Sequence, residues 1–169
     1  MKRFIILILA VASLSLALEG CSAQYKAQTQ AQNMELVNQA EQSGEFYLYI
    51  DTMFPKRGPS QKLTSSYSVK VKDGVLHSYL PYFGQAWNVP YGGGKGLVFD
   101  APIEQLQQGI TRKGDGVVFQ VLTKNEEDTY LYDITIYSTG YCSVTVQSRN
   151  RDTIRYSGHI QEMPAKENG

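Results

Sequence analysis

Short turn sequences follow one another closely after Gly44, and they constrain the fold more than any other feature of the chain. Asp73-Gly74 is typical of a two-residue β-hairpin. Further turns are predicted at residues 113–116, 125–128, 139–140 and 149–152. Connections this short join neighbouring antiparallel strands, because parallel pairing needs a longer crossover. The chain after Gly44 is therefore predicted to form an antiparallel meander.

Alternation of apolar and polar residues predicts the strands between these turns. Tyr67, Val69 and Val71, for example, share one face of a strand whose other face is polar. The predicted strands are residues 46–52, 66–72, 75–80, 96–102, 105–112, 117–123, 129–138, 141–148 and 153–161. About eight or nine strands do not surround one core as a flat sheet. We therefore expect a mainly β fold, curled as an open barrel or folded as a sandwich.

One amphipathic helix is predicted before the strands, over residues 33–43. Met34, Val37 and Ala40 recur at near-helical spacing, and Gly44 ends the pattern. Residues 21–32 are polar and rich in Gln and Ala, so they are predicted to form a tether. A single β-rich domain with this N-terminal helix is predicted over residues 33–162, followed by a polar tail over residues 163–169.

The first twenty residues have the composition of a secretory signal. Lys2 and Arg3 precede an apolar run from Phe4 to Leu18. A helix of that length spans about 22 Å at ~1.5 Å per residue, which is short of a hydrocarbon core of ~30 Å. The pattern therefore predicts a cleaved signal peptide over residues 1–20 rather than a permanent membrane helix.

The end of this signal resembles the lipobox of bacterial lipoproteins, in which a cysteine is acylated and the peptide before it is removed. Leu18, Gly20 and Cys21 match that motif, whereas Glu19 stands where the residue is usually small or uncharged. We predict a lipid anchor on Cys21 and a location in the cell envelope, on the periplasmic side of the outer membrane or at the cell surface. The alternative is cleavage after Ala23, which would give a soluble periplasmic or secreted protein.

The charge balance indicates few electrostatic partners. The formal net charge of the chain is +0, which gives no attraction to nucleic acid or to an anionic membrane surface. The predicted contact with a membrane is therefore the lipid on Cys21. Whether Cys21 is acylated or removed, Cys142 is left without an intramolecular disulfide partner.

Few residues could support catalysis. His77 and His159 lie in predicted strands without Cys or Asp at ligand spacing, so neither a metal site nor a cofactor is predicted. Cys142 is interpreted as a small core residue rather than a nucleophile. We predict no catalytic residue and no enzymatic activity. A hydrolase that uses Asp100 or Asp133 is a weaker alternative, which requires acidic groups to converge in a cleft.

Aromatic residues concentrate in the segment 80–96, among two prolines and five glycines. Tyr82, Phe83, Trp87 and Tyr91 are candidate residues of a ligand or partner site, because flat rings supply much contact area for little entropy. Alternatively, the same segment would plug one end of a barrel or cross over it. The glycine run lacks the Lys-Ser/Thr that ends a phosphate-binding loop, so nucleotide binding is not predicted.

Three segments resemble an uncharacterised family of exported Bacteroidetes proteins, domain of unknown function 4251. They are Leu80-Pro81-Tyr82-Phe83-Gly84, Tyr91 with its following glycines, and the tail from Ser148 to Gly158. The resemblance extends from the predicted helix to about Gln161. It implies a lipoprotein-type signal, and it implies no established activity and no catalytic residue.

These observations together predict an exported, lipid-anchored binding or interaction module without enzymatic activity. Its partner would be an envelope protein, a glycan or an apolar small molecule. The second hypothesis is a carrier that holds lipid or another apolar molecule within the curled sheet. Such a carrier requires an enclosed apolar cavity of several hundred Å3.

Overall fold

A computed structural model describes residues 24–87 and 96–164 of the chain. Eight strands follow one another within these residues, and each is antiparallel to its neighbours. They are β1 (Phe46–Phe54), β2 (Gln61–Lys72), β3 (Val75–Leu80), β4 (Leu97–Ile110), β5 (Gly116–Lys124), β6 (Thr129–Tyr137), β7 (Tyr141–Ser148) and β8 (Ile154–Gln161). The last strand, β8, pairs with the first, so the sheet forms a closed barrel.

The prediction of a mainly β fold built from a curled antiparallel meander is confirmed. The barrel is closed, whereas the sequence left an open barrel and a sandwich as alternatives. Closure depends on pairing between Tyr47–Phe54 of β1 and Arg155–Gln161 of β8. These segments lie at opposite ends of the domain sequence, so no local pattern indicates their pairing.

The β2–β3 hairpin has the turn that its sequence predicts. Asp73 and Gly74 have φ angles of 51° and 74°, so both central residues lie in the left-handed region that a type I′ turn requires. This turn sets the register in which Lys72 is opposite Val75 and Val71 is opposite Leu76. Both apolar residues of that second pair are buried in the barrel.

Strand β4 differs from its prediction, because residues 96–102 and 105–112 were expected to form two strands. The structure has one strand, Leu97–Ile110, whose residues up to Pro102 pair with β3 and whose residues from Ile103 pair with β5. The register against β5 shifts between Ile103 and Gln105. A β-bulge of this kind adds one residue and breaks the period-2 alternation. The apolar–polar alternation before the bulge is therefore out of phase with the alternation after it. For this reason the sequence of β4 resembles that of two separate strands.

The core fills the inside of the barrel with alternate side chains of all eight strands. Its largest fully buried side chains include Tyr130, Tyr132, Tyr156, Phe119, Leu48 and Ile50. An eight-stranded barrel has an interior that side chains can just fill. Two consecutive hydrogen bonds connect polar groups in the interior. The Tyr132 hydroxyl donates to Ser78 Oγ at 2.9 Å, and the Ser78 hydroxyl donates to the Leu97 carbonyl at 2.7 Å.

A helix, α1, covers residues 24–43 of the described chain. Within its second half, Val37 and Ala40 are buried in the barrel core. The Asn33 side-chain amide donates to the Thr139 carbonyl at 2.8 Å, and the Gln108 amide donates to the Glu41 carbonyl at 2.7 Å. The predicted helix over residues 33–43 is thus present and packs against the strands.

The helix also extends further toward the N-terminus than predicted. Residues 24–32, which were expected to belong to a tether over residues 21–32, are helical and exposed, and they fall in a separate compact unit. Ala and Gln are good helix formers, so the composition that suggested a tether also supports a helix. Within residues 24–87 and 96–164, no helix is both long enough and apolar enough to cross a bilayer.

Candidate functional site

Four connections lie at the end of the barrel opposite the Asn33–Thr139 contact, namely those after β1, β3, β5 and β7. We call this the loop end. The described part of the β3–β4 connection, residues 81–87, lies against the β7–β8 turn. Ala86 forms a β-bridge with Arg151, the Asp152 amide donates to the Gln85 carbonyl at 3.0 Å, and the Trp87 amide donates to the Asn150 carbonyl at 2.9 Å. Backbone hydrogen bonds therefore hold this segment in place.

Tyr82 supports the segment 81–87 from its buried side. Its hydroxyl donates to the Gln85 carbonyl at 2.7 Å, and the Arg151 guanidinium lies 5.3 Å from the centre of its ring. Burial raises the pKa of Tyr82 above its ordinary value. The Tyr156 hydroxyl, from the core, donates to the Pro81 carbonyl at 2.6 Å. Tyr82 thus packs as a structural support. The alternative in which segment 80–96 plugs one end of the barrel predicted this role for the whole segment.

Charged side chains connect the turns around this segment. Lys56 Nζ lies 2.8 Å from Asp152 Oδ1, and this hydrogen bond from Lys56 is the main reason that the pKa of Asp152 is lowered. The mostly buried Arg151 pairs with Glu127 at 2.9 Å. Asp128 accepts a hydrogen bond from the Asn150 amide at 3.0 Å. These bonds join the connections after β1, β5 and β7 around the segment 81–87.

Phe83 and Trp87 project from the segment 81–87 into solvent. These residues are 56% and 64% exposed, whereas Phe119 and Tyr132 in the barrel core are fully buried. A pocket of about 330 Å3 lies beside Phe83. It is lined by Arg57, Tyr82, Phe83, Gly84, Gln85 and Asp152. Two exposed rings and a small pocket with polar groups at its edge are a typical composition for a binding surface.

The four candidate residues of the aromatic segment therefore differ in their environments. Tyr82 is a support, and Phe83 and Trp87 are exposed on the same short stretch. Tyr91 lies outside the described residues, as do Cys21 and the signal over residues 1–20. Sequence reasoning missed Arg57 and Asp152. Arg57 lies between two prolines, Pro55 and Pro59, after the first predicted strand, and Asp152 lies in a predicted turn. Both segments read only as connections.

The histidines lie on the outer wall of the barrel. His77 Nδ1 is 2.8 Å from Asp100 Oδ1, a carboxylate that the adjacent strand β4 supplies. The Asp100 side chain is 70% exposed, so water screens the pair. His159 Nδ1 lies 3.4 Å from Asp51, and its ring meets the edge of Tyr141. Both histidines have carboxylate neighbours that local sequence did not indicate.

The other residues considered for catalysis have separate environments. Asp133 accepts hydrogen bonds from the amides of Gln120 and Gln147, each at 2.8 Å. It therefore has different partners from Asp100. Cys142 is fully buried, and burial raises the pKa of its thiol to about 12. Its interpretation as a core residue is confirmed. Among the residues that the structure describes, no three Cys, His, Asp or Glu side chains form a group that could hold a metal ion.

Comparison with known proteins identifies one family. The family model described as "Domain of unknown function (DUF4251)" matches residues 28–160. The crystal structure of a DUF4251 family protein from Bacteroides eggerthii DSM 20697 is similar to this chain with a TM-score of 0.58 and 18% sequence identity. The similarity covers 78% of this chain and 90% of that chain, and it supports the fold. No curated protein matches significantly.

Proposed function

This chain belongs to the DUF4251 family, to which no activity is assigned, and we propose from its own site that it is a non-enzymatic interaction module of the cell envelope. The proposed partner is a protein, and Phe83 and Trp87 at the loop end are the proposed anchors of that interface. The family resemblance predicted from the Leu80–Gly84 segment agrees with the match over residues 28–160.

The exposure of two large aromatic side chains on a fixed backbone is the observation that supports this proposal. Burying a large apolar side chain contributes about 1.5–3 kcal/mol of free energy. Because both residues are more than half exposed, neither obtains this contribution in full within the domain. The backbone of residues 85–87 is bonded to the β7–β8 turn, so little entropy would be lost when a partner covers the rings. Arg57 at the pocket adds a residue type that is enriched at interface hot spots.

The two alternative functions gain less support. A carrier of lipid or another apolar molecule would hold its cargo inside the barrel, where Tyr130, Tyr132 and Tyr156 are fully buried and fill the space. A hydrolase based on Asp100 or Asp133 requires acidic groups that act together, whereas these two carboxylates bind a histidine and two glutamines respectively. The loop end is therefore the site on which we base the function.

Site-specific photo-cross-linking in cells tests the interaction module. With p-benzoylphenylalanine in place of Phe83, we expect a discrete protein adduct, because the side chain is exposed at the centre of the proposed interface. The control replaces Tyr141, an exposed aromatic residue at the start of β7, at the opposite end of the barrel. An equal yield of the same adduct from both positions would contradict a site at the loop end.

Export and lipid anchoring form the second part of the proposal. Lys2, Arg3 and the apolar run from Phe4 to Leu18 have the layout of a signal, and Cys21 matches the acylated position of a lipobox. Because Cys142 is buried in the core, Cys21 is the cysteine available for this chemistry. A protein held at the membrane surface by Cys21 would present its interaction site to other envelope proteins.

Replacement of the anchor should change the location of the protein almost completely. We expect Cys21→Ala to abolish the lipid modification and to remove the chain from the outer membrane, because no thiol accepts the lipid. Ala23→Phe is the matched control: it blocks an ordinary cleavage after Ala23 and should leave a lipoprotein anchored. Mass spectrometry of the mature N-terminus identifies the product. An Ala23→Phe variant that loses processing while Cys21→Ala matures normally would overturn the anchor.

A further inference from the structure

Strand β4 has an edge segment that pairs with no other strand of the described barrel. Its pairing with β3 ends where Val75 faces Pro102, and one more hydrogen bond joins the Ile103 amide to the Gly74 carbonyl at 2.9 Å. From Glu104 to Ile110 the strand continues, paired with β5 on its other side. Within residues 24–87 and 96–164, no strand pairs with this second edge of 104–110.

The residues along this edge are open to solvent. Every residue from Glu104 to Ile110 is exposed, including Leu106 at 41% and Ile110 at 67%. A side-chain carbon placed on Gly109 would meet no atom within 4 Å. Leu106 and Ile110 are opposite Val121 and Val117 of β5, so they share the face of the sheet that is buried elsewhere. Helix α1 contacts part of this face, since the Gln108 side-chain amide donates to the Glu41 carbonyl and Leu106 lies beside Gly44. The backbone edge itself is unpaired, and Ile110 is the more exposed of its two apolar side chains.

Soluble β proteins usually protect such an edge from pairing. The common protections are lysine, proline, a charge directed inward, a bulge or a covering element. Pro102 and the bulge after Ile103 lie just before this edge, and residues 105–110 contain neither lysine nor proline nor any other charge. A long, neutral edge with two apolar side chains is a template for adding another strand.

The sequence of the edge is complementary to itself. In an antiparallel pair centred on Gln108, Leu106 of one copy is opposite Ile110 of the other, and this contact occurs twice about the two-fold axis. The same register brings Glu104 of each copy opposite Arg112 in the β4–β5 turn of the other, a turn that also holds the exposed Lys113. Apolar residues therefore meet apolar residues, and opposite charges meet at both ends.

We propose that the β4 edge, residues 104–110, is a homodimer interface in which two copies pair antiparallel about Gln108. A second copy satisfies both the apolar and the charge pattern, which an arbitrary extended peptide would match only by chance. Seven residues on each side bury less area than a standard interface of about 1,600 Å2. We therefore expect a dissociation constant of about micromolar. It is separate from the loop end, because β4 runs away from that end after Pro102.

Charge reversal with rescue tests this interface in the full mature chain, with the molar mass measured by analytical ultracentrifugation over a range of concentrations. We expect the native chain to dimerise. Glu104→Lys should raise the dissociation constant about tenfold or more, because it places like charges together at both ends of the pair. Arg112→Glu with Lys113→Glu should do the same, and the combination of all three changes should restore the dimer.

Lys124→Glu is the matched control, since it reverses an exposed cation at the far end of β5 and should leave dimerisation unchanged. Circular dichroism and melting curves verify that each variant is folded; the changed residues are exposed, so folding should be retained. A native chain that remains monomeric at about 1 mM would overturn the proposal. So would a dimer that both charge reversals leave intact, or one that the triple variant does not restore.

Discussion

Gly158→Ala should lower the free energy of unfolding by about 3 kcal/mol, which is the upper range for overpacking a well-packed site. Gly158 lies in β8 between Ile50 of β1 and Cys142 of β7, at the seam where the barrel closes. A Cβ atom there would overlap the Tyr49 carbonyl oxygen and lie 2.9 Å from the Ile50 Cα atom. Both are backbone atoms, so the clash cannot be relieved by a side-chain rotation. The β1 and β8 strands would have to separate.

Gly109→Ala is the matched control for this change. Gly109 also lies within a strand, and an added Cβ atom there meets nothing within 4 Å. The control should change the unfolding free energy by less than about 0.5 kcal/mol, or stabilise the chain slightly by restricting the unfolded state. Denaturant titrations of both variants measure the difference. If Gly158→Ala were as stable as Gly109→Ala, the close approach of β8 to β1 would be wrong.

Trp87→Ala should weaken partner binding about 30-fold or more while the protein stays folded. A central aromatic anchor commonly contributes about 2 kcal/mol or more to a protein interface, and about 1.4 kcal/mol is tenfold in affinity. The backbone amide of Trp87, which bonds to the Asn150 carbonyl, is retained in the variant. Because Trp87 is 64% exposed, removal of its side chain leaves no cavity in the barrel. The partner identified by cross-linking at position 83 provides the affinity measurement.

Tyr141→Ala serves as the comparison, because Tyr141 is an exposed aromatic residue at the start of β7, at the opposite end of the barrel from the loop end. It should leave the affinity for the partner unchanged. Melting curves distinguish the two roles that the sequence suggested for the aromatic segment. A fall of the melting temperature by several degrees in Trp87→Ala, corresponding to about 1–3 kcal/mol, would assign Trp87 to closure of the barrel instead of binding.

The aromatic segment shows how far residue types alone indicate a site. Phe83 and Trp87 stand among prolines and glycines in a connection, a context in which exposure is common, so both could be selected from sequence. Tyr82 was selected by the same reasoning, yet it packs under the segment and bonds to the Gln85 carbonyl. Arg57 and Asp152 reach the same pocket from other connections far along the chain. Their convergence depends on barrel closure, which has no local signal.

The sequence by itself determined the local features of this protein. The alternation of side chains, the Asp73-Gly74 turn and the short connections are sufficient for an antiparallel meander, because each acts over a few residues. The family was also recognisable from short segments such as Leu80–Gly84.

The tertiary structure decided what depends on distant pairing. Closure of β8 on β1, the pairing of the single strand β4 with both β3 and β5, and the carboxylate partners of His77 and His159 each join residues that are separated in sequence. The open edge from Glu104 to Ile110 is likewise a consequence of where β3 ends relative to β4. The preference of a residue for a strand depends on its neighbours across the sheet, so only the assembled barrel distinguishes a paired edge from an unpaired one.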